Sequence, residues 1–484
     1  MSTDVIHADV VVVGAGSSGA VVAARLSEDP SCTVVLLEAG RDFPDEATDP
    51  PAFLVGGTVL GENLAGLGAP VPEMDWALKP EPMRNGRVVP QWRGKVVGGS
   101  SMINGCVVVR GRPADFARWN ELGGGETWDW EGVEPYYRAV EAKVPIRREP
   151  RERWLPFNAV FADAASELGH TWVDDVNHED SWGRVVGAYP QNRRNEIRQG
   201  TLVTYVREAR PRPNLTIVAD ALVDRVILSG DRAEGVRYLD PDGGVHVVRA
   251  TTVVLSSGTY GTPGILLRSG IGPRQRLADI GVEQVQELPV GEHLLDHPHV
   301  PIMVKAPTRI AWLGTPQAAV IVRGDGWWTF PLSVDEEAGQ CVLLMGITED
   351  LPVGEVYLRT ADPADPVVID QNFDQALDSG AFERAWKENL PFATTKAFRD
   401  AGVEMETLSL DEFLPERIGS AQHPVGTCGI GRVVTADLAV MGMQNLFVAD
   451  ASVFPAQVEN NPNLTCMMIG EKAAAILRTR IAAR

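Results

Sequence analysis

A chain of 484 residues, 44% hydrophobic and 23% charged, has the make-up of a globular protein and is too long for one ordinary core, which points to two or three domains. Its net charge of −21 argues against a nucleic-acid partner, because such binding starts from a basic footprint, and against an anionic membrane face. No apolar run approaches the ~18 residues of a membrane span, and the opening MSTDVIHADVVVVGAG has neither a basic region nor a cleavage site, so the expectation is a cytoplasmic protein without a secretory signal.

Residues 8–13 (ADVVVV) form the short, nearly all-apolar run expected of a buried parallel strand. The turn Gly14-Ala-Gly16-Ser-Ser-Gly19 follows, then the helical segment AVVAARLSE and a second buried strand, TVVLLEAG. This is a βαβ unit carrying GxGxxG in the context that gives the motif meaning. Gly14 permits the tight turn, Gly16 leaves room for a pyrophosphate at the helix N-terminus, and Gly19 lets helix and strand pack closely. Glu38 lies about twenty residues on, where a carboxylate binds both hydroxyls of an adenosine ribose and disfavours a 2′-phosphate. The motif alone does not separate FAD from NAD.

A second small-residue cluster runs from Arg93 through Gly98, Gly99, Ser100, Asn104 and Gly105 to Cys106, suited to bringing backbone against a flat ring system. The charged stretch RREPRERW (147–154) reads as a solvated surface loop. Strands are expected at Tyr238–Leu239, over 245–258 and at 445–450, so the chain leaves the nucleotide fold and returns to it. A third cluster, from Gly258 to Gly272, leaves a buried strand and opens a helix. Segments such as QCVLLMGITED and GEVYLRT, with period-2 patches, suggest a mostly antiparallel sheet carrying the substrate pocket. Trp312, Trp327, Trp328 and Phe330 are candidates for an apolar pocket or for sheet core. His293, His297 and His299 in GEHLLDHPH read as a structural loop rather than a metal cluster, and no metal is expected. Five scattered cysteines without a CxxC pair (Cys32, Cys106, Cys341, Cys428, Cys466) read as buried reduced thiols.

The three glycine clusters, PVGEHLLDHP (289–298) and the segment from His423 onward together resemble the glucose–methanol–choline (GMC) oxidoreductase family, from about residue 8 to residue 480. The one departure in the family signature over 94–117, which contains most of the second cluster, is Val108, where the family prefers an aromatic residue or Ala. The resemblance implies FAD rather than NAD, and an α/β fold: a Rossmann-type FAD-binding domain (1–145, 196–300 and 408–484) with a discontinuous substrate domain on a mostly antiparallel sheet (146–195 and 301–407). The implied cofactor residues are Gly14, Gly16, Ser18, Gly19, Glu38, Gly98, Gly99, Ser100, Asn104, Gly105, Val223, Gly258, Asp450 and Ala451. Non-covalent binding is expected, because Ile103 stands where some members carry a flavin-linking histidine.

Catalysis is expected in the C-terminal segment. Alcohol oxidation needs a base to take the hydroxyl proton as hydride leaves the carbon, and a neutral imidazole such as His423 suits that task. Asn463 corresponds to the position that the family fills with His or Asn, which implies a group that positions the substrate oxygen. The reading is therefore an FAD-dependent alcohol oxidase or dehydrogenase with a small-molecule alcohol as substrate. The alternatives are an NAD-dependent dehydrogenase or a GMC-type lyase without net oxidation. The sequence leaves open which alcohol is used, and whether oxygen or another acceptor, such as a mycofactocin-type carrier, reoxidises the flavin.

Overall fold

The computed structural model describes residues 5–44, 72–178, 181, 183–194, 197–312 and 318–482. The apolar run near the N-terminus forms the strand Val5–Val13, whose last four residues are buried. Val10, Val11 and Val12 are wholly buried, each worth ~1.5–3 kcal/mol relative to exposure. That strand pairs in parallel with Val34–Leu37 on one side and with Val245–Leu255 on the other. Leu215–Val218 extends the sheet beyond Val34–Leu37, also in parallel.

Val245–Leu255 has two partners on its far side. Its first half pairs antiparallel with Arg232–Leu239, which continues to Leu222–Ser229, whereas its last three residues pair in parallel with Leu446–Val448. Chain segments more than 400 residues apart in sequence thus share one sheet and one large hydrophobic core. The helices Gly19–Leu26, Gly258–Arg268 and Asn463–Ala482 belong to the same body.

A second sheet runs in the order Glu404–Met405, Pro298–Lys305, Gln340–Ile347, Trp327–Asp335, Val320–Arg323, Val185–Ala188, Thr171–Val173. Every pairing in it is antiparallel except Thr171–Val173 with Val185–Ala188, and Gly419–Ser420 adds to Pro298–Lys305. It covers its own core with the helices Pro156–Glu167, Ala381–Asn389 and Leu410–Arg417.

Two expectations change and one open alternative is resolved. GEVYLRT supplies most of the strand Val353–Tyr357, which joins a separate three-stranded sheet with Glu292–Leu295 and Val368–Asp370, because Val356 packs with Tyr260, Leu294 and Ile369 in a small core of its own. The charged stretch at 147–154 is a tethered segment rather than a free loop. Arg147 exchanges backbone hydrogen bonds with Gln191, Glu149 is buried beneath its arginines, and Arg148 pairs with Asp175. Trp327, Trp328 and Phe330 are buried as core, Trp328 stacking on Phe330 at 5.3 Å, whereas Trp312 is exposed. Among the described residues no helix is long and apolar enough to cross a membrane. The five cysteines are free and buried.

Candidate active site

The first glycine turn is fixed by steric necessity. Gly14 has φ +96°, and a Cβ there would stand 2.4 Å from the Ser256 carbonyl oxygen. A Cβ on Gly19 would meet the Gly14 carbonyl oxygen at 1.9 Å, so this position tolerates only hydrogen. The second cluster abuts the first: Gly98 N–H donates to the Ala15 carbonyl at 2.8 Å, and a Cβ on Gly99 would lie 2.7 Å from Gly16 Cα. Two turns some eighty residues apart thus form a single wall of backbone.

Glu38 follows the strand Val34–Leu37 and is buried against this wall. Its carboxylate accepts from Ala15 N–H and Gly40 N–H, both at 2.9 Å. Burial pushes its pKa up to about 7, against the pull of those hydrogen bonds. Ser18 differs from expectation in its side chain. Its hydroxyl donates to the Cys466 carbonyl at 2.7 Å, so it ties the turn to the last helix and leaves only backbone for a phosphate. Val223 lies in the core of the strand Leu222–Ser229, so any cofactor contact there is also a matter of backbone.

In the second cluster Ser100 Oγ accepts from Gly94 N–H at 3.1 Å, and Asn104 Oδ1 accepts from Cys106 N–H at 3.0 Å. Gly105 and Gly258 have no heavy atom within 4 Å of where a Cβ would sit. The open space at these two positions, with the close backbone contacts around them, is the surface that a flat cofactor requires.

Asp450 joins the third cluster to the C-terminal segment. One carboxylate oxygen accepts from Gly258 N–H and Thr262 Oγ at 2.8 and 2.6 Å. The other caps the short helix Ala451–Val453 through Ser452 N–H and Oγ at 2.8 and 2.6 Å. The Ala451 carbonyl accepts from Gly426 N–H at 3.1 Å, three residues after His423.

His423 is held from several directions. Its backbone N–H donates to Asp296 Oδ1 at 2.9 Å, and Gln457 Nε2 donates to its carbonyl at 2.9 Å. Asp296 also accepts from His297 N–H at 2.8 Å and Ser420 Oγ at 2.5 Å. The His423 and His297 rings meet edge to face with Nδ1 to Nδ1 at 2.9 Å. Burial holds the His423 pKa well below the ordinary imidazole range, reinforced by His297, Arg93 and His299. Burial likewise pushes His297 down to about 3. His297, read from the sequence as part of a structural loop, thus stands against the candidate base; 126 residues separate it from His423, so only folding reveals the contact.

Asn463 opens the last helix, and its Oδ1 accepts from Ser17 Oγ of the first glycine turn at 2.9 Å, leaving its buried Nδ2 without a partner. The same turn is thus tied at Ser17 and Ser18 to the segment that carries Asn463. Asn461, unremarked in the sequence, donates from Nδ2 to the Val107 carbonyl at 2.7 Å and leaves its buried Oδ1 unpaired. These orphaned polar atoms, beside a backbone wall that excludes Cβ atoms, fit a polar aromatic cofactor and a small polar substrate.

The GMC oxidoreductase family matches residues 8–299 and 350–470. An uncharacterized GMC-type oxidoreductase from Rhodococcus erythropolis is 32% identical, covering 98% of this chain and 99% of that protein. An oxygen-dependent choline dehydrogenase from Paraburkholderia phymatum is 31% identical, covering 98% of this chain and 92% of that protein. The crystal structure of pyridoxine 4-oxidase from Mesorbium loti superposes with a TM-score of 0.86 at 26% identity, over 98% of this chain and 99% of that one. The chain belongs to the GMC oxidoreductase family and is an FAD-dependent oxidoreductase acting on a CH–OH donor.

Proposed function

We propose that this protein oxidises an alcohol to an aldehyde or ketone, with His423 as the base and Asn463 as the donor that positions the substrate oxygen. The observation that carries this reading is the His423–His297 contact. Burial favours the neutral form of both rings, and between two neutral rings one Nδ1 donates and the other accepts. With the hydrogen on His423 Nδ1 and the lone pair on His297 Nδ1, His423 Nε2 is an acceptor free to take the hydroxyl proton. The contact survives proton uptake, because Nδ1–H still donates to His297. Bound FAD supplies the hydride acceptor.

The cofactor rests on the backbone of the first and second glycine clusters, with Glu38 at the ribose and no histidine in the 98–106 loop to attach it. The division into domains follows the two large cores in the main. Of the described residues, the FAD-binding body takes 5–44, 72–145, 197–297 and 421–482, and the substrate-binding body 146–178, 181, 183–194, 298–312 and 318–420, with Met83 and Val89 packed into the second core and Leu358 into the first. The expected boundaries at 300 and 408 are shifted to keep Pro298–Lys305 and Leu410–Ser420 with the antiparallel sheet.

The test is anaerobic stopped-flow reduction of the flavin, with a substrate chosen from a panel that includes choline, pyridoxine and aryl alcohols. His423→Ala is expected to retain FAD and slow reduction by at least ~10²-fold, the low end for losing a general base. Asn463→Ala is expected to slow the same step by a smaller factor. Parental reduction rates in both variants would refute the assignment. If Asn463→Ala loses only flavin while Asn461→Ala loses reduction rate, the positioning role passes to Asn461.

A further inference from the structure

Arg198 is wholly buried in the small hairpin made by Arg193–Arg194 and Ile197–Arg198. No carboxylate among the described residues pairs with it, and its Nε and Nη2 have no hydrogen-bond partner. Directly opposite in the hairpin stands Arg193, also buried, so like charges face one another across the strands. Removing an arginine from water without a counter-ion is costly, and such a group persists where a ligand or reaction makes use of its field.

The one side-chain partner of Arg198 among the described residues identifies that use. Nη1 donates to Asn104 Oδ1 at 2.5 Å and reaches the Ser101 carbonyl at 3.5 Å. Asn104 Oδ1 also accepts from Cys106 N–H, so two donors fix which end of the amide faces them. The NH₂ end of Asn104 is then the end left to face a ligand. Ser101 and Asn104 both lie in the loop that abuts the first nucleotide turn through Gly98 and Ala15.

We propose that Arg198 is a positioning and electrostatic residue of the flavin site, which holds Asn104 with its N–H donors toward the cofactor and stabilises the negative charge that the flavin acquires on reduction. The alcohol loses a hydride from carbon to the flavin and its hydroxyl proton to His423. The substrate is oxidised by two electrons, the flavin is reduced by two, and the ring system gains one negative charge. A buried, unneutralised guanidinium behind the loop favours that product state. The proposal rests on loop 98–106 holding FAD, but not on the catalytic role of His423.

Reversible addition of sulfite to the oxidised flavin tests it without any substrate, because the adduct is anionic. In the holoenzyme, Arg198→Met is expected to weaken sulfite binding about tenfold and to lower the two-electron midpoint potential by the equivalent ~30 mV. Arg198→Lys, which keeps the charge, is expected to stay within about threefold of the parent for sulfite. Parental sulfite affinity and potential in Arg198→Met, with only thermal stability or FAD retention reduced, would show the arginine to be merely structural. A loss in Arg198→Lys as large as in Arg198→Met would also overturn the electrostatic role. Arg198→Gln replaces the Met variant if that protein does not fold. If neither neutral variant retains FAD, Arg198→Lys decides alone: parental sulfite affinity upholds the proposal, and about tenfold weakening overturns it.

Discussion

The parallel-sheet body and the antiparallel-sheet body use their residues in different ways. In the first, close backbone approaches decide residue identity: Gly14, Gly19 and Gly99 occupy places where a single added carbon would strike main-chain atoms. In the second, side-chain volume does most of the work, and Trp327, Trp328, Phe330 and Leu332 are all buried along the strand Trp327–Asp335. A backbone contact has no slack, because neither partner can rotate away. A packed side chain can be exchanged for another of similar volume at modest cost. The first body should therefore fail abruptly when changed, and the second by degrees.

Gly19→Ala probes the abrupt case. With the Gly14 carbonyl oxygen 1.9 Å from the new Cβ, turn and helix cannot keep their present packing. The expected outcome is protein that purifies without bound flavin, read from the visible flavin absorbance per chain. A yellow Gly19→Ala protein with parental FAD content would remove the steric basis of the contrast.

Trp328→Ala probes the graded case. The indole is buried, stacks on Phe330 at 5.3 Å, and lies across from Gly346, whose missing side chain makes room for it. The expected cost is ~3–5 kcal/mol of stability from lost burial and the cavity left behind. FAD content and flavin spectrum should stay parental. Denaturant unfolding checks this; loss of flavin at unchanged stability would instead place Trp328 in the functional pocket.

The smallest expected effect sharpens the contrast within the parallel-sheet body. Glu38 has its pKa raised by burial to about 7, above that of a glutamate in the unfolded chain. A carboxyl raised in this direction binds its proton more tightly in the fold, so it favours the folded state at low pH. That contribution is lost as pH rises from the ordinary glutamate range through about 7. Flavin-free protein should accordingly show a falling Tm across this window, and Glu38→Gln should flatten part of the fall. The flattening is partial because Asp115 is raised to about 7 by the same cause. An identical pH slope in Glu38→Gln would mean that the carboxylate is ionised throughout.

Much of the candidate cofactor site was legible because its demands are local. A strand, a turn that excludes Cβ, a helix and a carboxylate at the next strand end follow one another within about forty residues. His423 was legible from its chemistry and from the family resemblance around it. Its neighbours were less so. Asp296 and His297 approach it from 127 and 126 residues away, and the same loop reads as structural until it is folded. Ser18 was correctly placed in the turn, yet its hydroxyl turns to the last helix, a contact spanning 448 residues. The aromatic strand was ambiguous for another reason: a tryptophan that lines a pocket and one that fills a sheet core obey the same period-2 pattern.

The sequence by itself determined the nucleotide turn, the family and the return of later strands to the nucleotide fold, though not the strands Leu215–Val218 and Leu222–Ser229 or the order of the sheet. Tertiary structure alone decided which ring nitrogen of His423 meets a partner, which end of Asn104 is tied down, and that Arg198 lies buried beside it with no carboxylate partner among the described residues. The physical reason is the range of the constraint. Steric exclusion and strand periodicity act between near neighbours and leave a mark in their order, whereas hydrogen-bond direction and uncompensated charge depend on groups that only the folded chain brings together.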